Sequence, residues 1–388
     1  MALPISYNVR NVLVRWKVTL LALGGISLVV AVLIALTAMA NGFRVALKTT
    51  GAPDNAIVTQ RGSQSELTSG FSKDNASMIM VDDRVKRDGA GRPLASPEMI
   101  VVASIPRRQD GTEVNVTVRG VSPAAFAVRQ NVKIVQGRNF TPGLYELIVG
   151  EKAGDRYRGL EVGGSIKLQR QTWQVVGVFT SEGSSFESEV WGDVDALAPV
   201  FNRAGGYQSL TLKLNDPSQI EKFNADLKAN PNMQVQMTSE LQFYEGQAGQ
   251  TATTLTVLAV FVGVIMGIGA VFGAMNTMYA LVAARTREIG TLRALGFSRG
   301  SILISFMMES AFLALVGGLL GSILALPINT LSGATGGANF SQIAFAFKVD
   351  PQWLVIAVVA AVLMGLVGGL LPAWRAARTP ITAALRDA

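Results

Sequence analysis

Arg285-Thr-Arg-Glu-Ile-Gly-Thr-Leu-Arg-Ala-Leu-Gly-Phe-Ser-Arg-Gly300 carries four arginines, one glutamate and apolar residues at Ile289, Leu292 and Leu295. It separates two long apolar runs. Residues 246–284 ahead of it hold no charge, and residues 302–326 behind it hold one, Glu309. Uncharged runs of about 20 residues cross a bilayer as helices. The stretch between them therefore reads as a tight link on one membrane face. It is too short for a domain and too patterned for a plain loop. Its arginines and Glu288 offer ion pairs and its apolar residues a face to bury, the usual mix at a protein interface. The expectation is that another protein grips it and moves the rest of the chain through it.

Composition supports a membrane protein. Of 388 residues 49% are hydrophobic and 16% charged, against about 25% charged in soluble domains. The net charge of +7 comes largely from arginines flanking apolar runs, which reads as membrane topology and not as a nucleic-acid surface. Cysteine is absent, which excludes disulfides and thiol chemistry. Histidine is absent too, and that removes the commonest general base and metal ligand.

Working outward, residues 251–284 read as a stalk running into transmembrane helix 2. The uncharged run of 39 residues from 246 to 284 exceeds what a bilayer needs, so part of it is expected to stand above the membrane. Gly263, Gly267, Gly269 and Gly273 allow close helix contact and invite a kink. Residues 302–326 are transmembrane helix 3, ended by Pro327. Residues 327–352 are a polar, glycine-rich loop, 353–371 transmembrane helix 4 and 372–388 a basic tail with Arg375, Arg378 and Arg386. Near the N-terminus, 18–40 is a run of 23 uncharged residues. As a helix it measures about 34 Å, enough for a hydrocarbon core of about 30 Å. Ala38-Met-Ala40 has the form of a signal-peptidase site, but the run exceeds the usual apolar core of a signal peptide, so it is read as transmembrane helix 1. Before it, residues 1–17 form an elbow. Val9, Val12, Leu13 and Trp16 fall on one face of a helix over 6–17 that can lie in the interface.

Between spans 1 and 2, residues 41–250 change character. Ala56-Ile-Val-Thr-Gln, Met99-Ile-Val-Val-Ala-Ser-Ile, Glu113-Val-Asn-Val-Thr-Val-Arg, Ser165-Ile-Lys-Leu-Gln, Thr172-Trp-Gln-Val-Val-Gly-Val-Phe and Gln208-Ser-Leu-Thr-Leu-Lys-Leu read as strands. Residues 193–203 and 218–229 read as helices, with Val194, Leu197 and Phe201, and Ile220, Phe223 and Leu227, at helical spacing. The fold class is thus four transmembrane helices plus a large mixed α/β domain. Strands between Glu113 and Phe179 are expected to form a subdomain. Residues 1–17, 285–300 and 372–388 hold ten Lys and Arg, while the 327–350 loop holds only Lys348. Both termini are therefore expected in the cytoplasm, with 41–250 outside.

No phosphate-binding glycine loop of the G-x-x-x-x-G-K-[S/T] kind is present. Glu187 and Glu189 make a carboxylate pair of the kind common on solvated loops and are not read as catalytic. Glu309 lies inside span 3. A carboxylate there needs a partner, and the expected one is an arginine or a backbone group; a proton or substrate site is the other reading. Asn276 is expected to be helix–helix glue.

This arrangement resembles the MacB/FtsX-like permeases of ABC transporters, the type VII or mechanotransmission group. The resemblance is carried by Asn276-Thr-Met with Arg285-Thr-Arg-Glu-Ile-Gly-Thr-Leu-Arg-Ala-Leu-Gly296, by Glu309-Ser310 leading into Gly317-Gly318-Leu-Leu-Gly321, and by Gly368-Gly-Leu-Leu-Pro372-Ala-Trp-Arg-Ala-Ala-Arg378. In the outer domain Val118-Arg-Gly-Val-Ser-Pro123, Gly137-Arg138 and Trp173-Gln-Val-Val-Gly-Val178 look like the family's periplasmic core domain. The resemblance implies a dimer of permease chains in the inner membrane, with separate ATPase subunits that bind ATP and Mg; this chain itself is expected to bind no cofactor and to be no enzyme. It makes 285–300 a coupling helix, with Arg285, Arg287, Glu288, Ile289, Gly290, Leu292, Arg293 and Leu295 facing the ATPase. Motion would pass up the stalk to the outer domain to drive export or extraction of a substrate, with or without a periplasmic adaptor. Two other functions fit the same sequence: FtsX-like signalling to a periplasmic cell-wall hydrolase, and an ATP-independent membrane receptor.

Overall fold

A computed structural model describes residues 16–336 and 342–381. In chain order the elements are helix α1 (Trp16–Lys48), strands β1 (Asn55–Gln60) and β2 (Phe71–Ser72), helix α2 (Lys73–Met80), strands β3 (Ala95–Pro106) and β4 (Glu113–Val121), and helix α3 (Ala125–Val128). There follow β5 (Lys133–Gly137), β6 (Glu146–Gly150), α4 (Glu151–Arg156), β7 (Ser165–Leu168), β8 (Gln171–Thr180), β9 (Val190–Asp193) and α5 (Val194–Val200). The inserted region ends with β10 (Gly206–Tyr207), β11 (Ser209–Lys213), α6 (Ile220–Ala229) and β12 (Val235–Ser239). The rest comprises α7 (Glu240–Ala283), α8 (Thr286–Ala294), α9 (Arg299–Ala325), β13 (Ser332–Gly336), β14 (Gln342–Ala346) and α10 (Pro351–Arg378). Two units result: a helical one of the chain up to Asn41, Thr254–Leu331 and from Phe347, and an α/β one of Gly42–Thr253 with Ser332–Ala346.

The α/β unit is built on a sheet of order β12-β1-β11-β3-β4-β9-β6-β8-β5, with β7 paired to β8. The β4/β9 and β6/β8 pairs are parallel. Strand β3 joins two halves of the sheet. Its start, Ala95 to Glu98, pairs with β11, and its remainder, Met99 to Pro106, pairs with β4. Each half has its own apolar core. In one, Met99, Val116, Val118, Val149, Trp173, Val175 and Leu197 pack together. In the other, Ile79, Leu210, Leu212, Phe223, Leu227 and Val235 do so. The period-2 pattern explains this packing. On β4, Val116 and Val118 enter the core, so Thr117 and Arg119 must point to the opposite face.

Among the described residues, four helices are long and apolar enough to cross a membrane. Their limits differ from those the composition suggests. Helix α1 continues past Ala40 to Lys48. Helix α7 begins at Glu240 and runs 44 residues without interruption, its glycines included. Helix α10 passes through Pro372 to Arg378; a proline inside a packed membrane helix is tolerated when neighbours satisfy the freed backbone. The 327–352 segment is more than a loop. It contains β13 and β14, paired from Ser332↔Ala346 to Gly336↔Gln342. In β14, Phe345 meets Phe43 edge-on at 5.9 Å, and a Cβ at Gly42 would lie 2.2 Å from the Ala346 carbonyl. The interfacial helix expected over 6–17 lies outside the described residues except for Trp16 and Lys17, which start α1; Arg386 lies outside them as well.

Within the helical unit, small residues bring the backbones close. Ser27 donates to the Gly317 carbonyl at 2.9 Å, joining α1 to α9. Ser310 donates to the Gly365 carbonyl at 2.5 Å, joining α9 to α10. A Cβ at Gly321 would sit 2.5 Å from Ser27 O, and one at Gly365 2.3 Å from the Ala314 Cβ. Helix α7 is held more lightly. A Cβ at Gly263 would meet Leu33 and one at Gly267 would meet Met364, while one at Gly269 or Gly273 would meet nothing within 4 Å. Only 11% of its most apolar window is buried, and Val257, Phe261, Val264, Ile265, Ile268 and Phe272 are exposed.

Candidate coupling site

The link between α7 and α9 folds as helix α8. Its end is set by Gly296 at φ +96°. The Gly296 N–H donates to Arg293 O and the Phe297 N–H to Leu292 O, both at 3.2 Å. This is the double bond of a Schellman stop, which needs a left-handed residue after the helix. Ser298 then caps α9, accepting from the Ser301 N–H at 3.1 Å.

Arg285 stands at the start of α8 and is 3% exposed. Its Nη1 lies 2.8 Å from Glu309 Oε2, its Nε 3.4 Å from Glu288 Oε2, and its guanidinium over the Phe306 ring at 5.3 Å. Glu309 is 2% exposed. The carboxylate inside span 3 thus has an arginine partner, one of the two arrangements expected for it. Arg293 donates to the Ala377 carbonyl of α10 at 2.8 Å. Ile289, 2% exposed, packs with Met278, Leu281, Ile302, Phe306, Ala373 and Ala376, with Leu292 against the same cluster. Gly290 is buried.

The eight residues expected to face a partner therefore divide. Arg285, Ile289 and Gly290 are turned into the chain, and Leu292 and Arg293 are half-buried. Arg287, Glu288 and Leu295 are exposed, with Thr291, Ala294 and Arg299 beside them. Leu295 is 72% exposed. The single apolar face drawn through Ile289, Leu292 and Leu295 is corrected by helix geometry. Six residues at about 100° each place Leu295 about 240° from Ile289, so one cannot share the other's face. Asn276 is exposed on α7, three residues after Gly273, and does not bridge helices within this chain among the described contacts.

A second cluster was not foreseen. On the face of the sheet opposite Val116 and Val118, Arg119 is buried and grips Glu189 with Nε at 2.7 Å and Nη2 at 2.9 Å. The same guanidinium reaches Glu66 at 2.8 and 3.0 Å and Glu98 at 2.8 Å. Arg129 bonds Glu98 and, at 3.0 Å, Glu240 in the first turn of α7. Trp191 Nε1 donates to Glu189 at 2.7 Å, Ser209 to Glu66 at 2.8 Å, and Tyr244 to Glu66 at 3.1 Å. Burial pushes the Glu189 carboxyl up, against the pull of Arg119. Burial also pushes Glu66 up, but the charge and hydrogen bonds of Arg119 outweigh it and hold Glu66 low. Neither Glu187 nor Glu189 lies on a solvated loop: both are buried, Glu187 against Lys152 at 3.0 Å and the Ser181 and Gly183 N–H groups at 2.8 Å. The available signal was Arg119 itself, a charge in a strand that alternates apolar residues, since a buried charge requires a partner.

Four apolar helices carrying a grafted α/β domain after the first, and a charged link packed on the bundle by a buried ion pair, define a multispan membrane protein. A model of MacB-like periplasmic core domains matches residues 19–230, and a model of FtsX-like permease C-terminal regions matches 260–381. The chain belongs to the MacB/FtsX-like permease family, the type VII group of ABC transporter permeases. It is 29% identical over 318 residues to the macrolide export ATP-binding/permease protein MacB of Bordetella avium, covering 75% of this chain and 46% of that protein. It is 26% identical over 302 residues to the uncharacterized ABC transporter permease YknZ of Bacillus subtilis, covering 73% of each. The solved periplasmic region of MacB from Actinobacillus actinomycetemcomitans covers 52% of this chain and 92% of that one at 11% identity and a TM-score of 0.37. The chain spans about half the length of the MacB proteins it matches.

Proposed function

We propose that this chain is the force-transmitting permease of an ABC transport system. An ABC ATPase on a separate subunit, itself binding ATP and Mg, docks on the exposed side of α8 through Arg287, Glu288, Leu295 and Arg299. The termini and α8 face the cytoplasm, since their side carries the excess of lysine and arginine, and the inserted domain faces the outside of the inner membrane. Nucleotide-driven closure of the ATPase moves α8, and α7 carries the motion to the inserted domain, which acts on a substrate there. The observation that carries this reading is α7. One helix joins the ion-pair network at Glu240 to the link at Arg285 with no break. The apolar stretches of the four spans hold a single charge, Glu309, and it is committed to Arg285, which leaves poor material for a polar path through the bilayer. A second permease chain is expected against the uncovered face of α7, where Gly269, Gly273 and Asn276 offer close approach and an amide in need of a partner.

The test is to purify the full chain from its membranes in mild detergent and assay ATP hydrolysis. A co-purifying ATPase activity that is lost with Leu295→Asp, while the permease itself remains folded, supports the reading. Purification free of any ATPase, or unchanged recovery of it with Leu295→Asp, overturns it.

A further inference from the structure

We propose that Glu240, in the first turn of α7, is a proton-binding site through which acidity sets how firmly the α/β unit holds the head of that helix. Every residue of the site belongs to this unit. Among the described residues, four carboxylates, Glu66, Glu98, Glu189 and Glu240, meet two guanidiniums, Arg119 and Arg129, in one run of ion pairs. None of the six is more than 8% exposed. Fully ionised, the group holds two negative charges in excess, withdrawn from water. An uncompensated buried charge costs free energy, and the usual relief is that a carboxyl keeps its proton.

Glu240 is the member equipped to take that proton. Glu66 and Glu189 each accept two bonds from Arg119, and Glu98 lies between both arginines. Glu240 has one guanidinium contact, Arg129 Nε on its Oε1 at 3.0 Å. Its Oε2 accepts from Asn55 Nδ2 at 2.8 Å and from the Ala52 N–H at 3.2 Å. Asn55 is fully buried, and the Oδ1 of the same amide has no donor. The two ends of an amide are alike in shape and opposite in hydrogen-bonding role. One proton taken from solvent by Oε2 makes that oxygen a donor; the Asn55 amide turns over, and its orphaned Oδ1 accepts. Arg129 keeps Oε1, and the Ala52 N–H keeps the remaining lone pair of Oε2.

Of the other charges around this point, Glu98 faces Glu240 across Arg129, and Tyr244 lies one turn along α7. Lys48 and Glu245 are paired with each other at 3.1 Å, as are Lys213 and Asp54 at 3.0 Å. Burial pushes the Glu240 carboxyl up, against the pull of Arg129. The folded state therefore binds this proton more tightly than the unfolded one. The hold on α7 that depends on it is complete below pH 4.5 and weakens as pH rises through the raised value.

The experiment records infrared difference spectra of the full chain in detergent from about pH 8 down to about pH 4.5. A protonated carboxyl has a C=O stretch well separated from that of a carboxylate. The expected result is a band that grows in with one proton and a midpoint above 4.5, is missing from Glu240→Gln and survives in Glu189→Gln. Asn55→Asp sets a second carboxyl against Glu240 and should move the midpoint upward. Hydrogen exchange at residues 240–248, corrected for its intrinsic pH dependence, should speed up by as much as about tenfold per pH unit above the ordinary glutamate value, the linkage of one proton. The amide bands of the same spectra report whether each variant is folded. A folded Glu240→Gln that loses no band, or exchange in the parent that does not change with pH, overturns the proposal. If Glu240→Gln unfolds, Asn55→Asp decides: a midpoint moved upward supports the site, and an unmoved one overturns it.

Discussion

Arg285 Nη1 sits 2.8 Å from Glu309 Oε2, with both side chains withdrawn from solvent. The pair ties the first residue of the link to the middle of the helix that follows it. Removing Glu309 leaves buried Arg285 with the longer contact to the exposed Glu288, and breaking a buried pair costs about 3–5 kcal/mol, whereas replacing both partners by apolar residues of similar volume is often tolerated. Glu309→Ala should therefore lower the thermal midpoint of the detergent-solubilised chain markedly, and Arg285→Met with Glu309→Leu should recover most of it. Equal midpoints for Glu309→Ala and the parent would show that the pair does not hold the link.

The two faces of α8 should respond differently. Ile289→Ala opens a cavity among Met278, Ile302 and Phe306 and should cost about 2–5 kcal/mol. Leu295→Ala touches an exposed side chain and should stay within about 0.5 kcal/mol of the parent, while weakening capture of the ATPase. Differential scanning fluorimetry alongside a pull-down separates the two outcomes; a Leu295 variant less stable than the Ile289 variant would invert the assigned faces.

Glycine positions give a sharper contrast. At Gly365 a Cβ would meet the Ala314 Cβ at 2.3 Å, and at Gly246 it would meet nothing within 4 Å. Gly365→Ala should destabilise the helical unit by about 1–3 kcal/mol through overpacking. Gly246→Ala lies in an open stretch of α7 and should stabilise by about 0.5–1 kcal/mol through helix propensity. Unfolding midpoints moving in the same direction for both would contradict the close α9–α10 packing.

Acid should strengthen part of the inserted domain. The Glu189 carboxyl is pushed above the ordinary glutamate value of 4.5 by burial among Arg119, Glu66 and Trp191. Its native form thus holds a proton more readily than its unfolded form. Stability linked to it is fully present below pH 4.5 and is lost as pH rises through the raised native value. Groups held low act in the opposite sense. Glu66 is one; Glu146, drawn down to about 2 by hydrogen bonds from Arg138, is another, and their contribution fades below pH 4.5. Tryptophan-monitored unfolding should show this contribution as stability gained while pH falls through the raised native value of Glu189 toward 4.5. Glu189→Gln should flatten that rise. A parent profile flat over this range would sink the assignment.

What the residues disclosed depended on range. The spans and the link were legible because a run without charge is a local property, and so was the strand alternation that placed Val116 and Val118 inward. The partner of Glu309 was legible in kind, since a buried carboxylate needs one, but not in identity, since Arg285 lies a helix away. The network around Arg119 was hidden. Glu66, Glu98, Glu189 and Glu240 come from four distant segments, and only the order of the sheet brings them to one point. The seam in β3, where pairing passes from β11 to β4 at Glu98, is likewise a matter of topology. Pro372 and the β13/β14 pair misled for the converse reason: local rules for proline and glycine yielded to packing that the local sequence does not contain.

A helix of 44 residues rises about 66 Å, so tilting it by about 5° about one end displaces the other by about 6 Å. Helix α7 is in this sense a long arm with a short, stiff grip. At its link end the grip is the Arg285–Glu309 pair with the Ile289 cluster. At its far end, Glu240 is held by Arg129, Asn55 and the Ala52 N–H. Under the proposed function, an angular change at one end of a straight helix of this length would become, at the other, a stroke as wide as a peptide backbone.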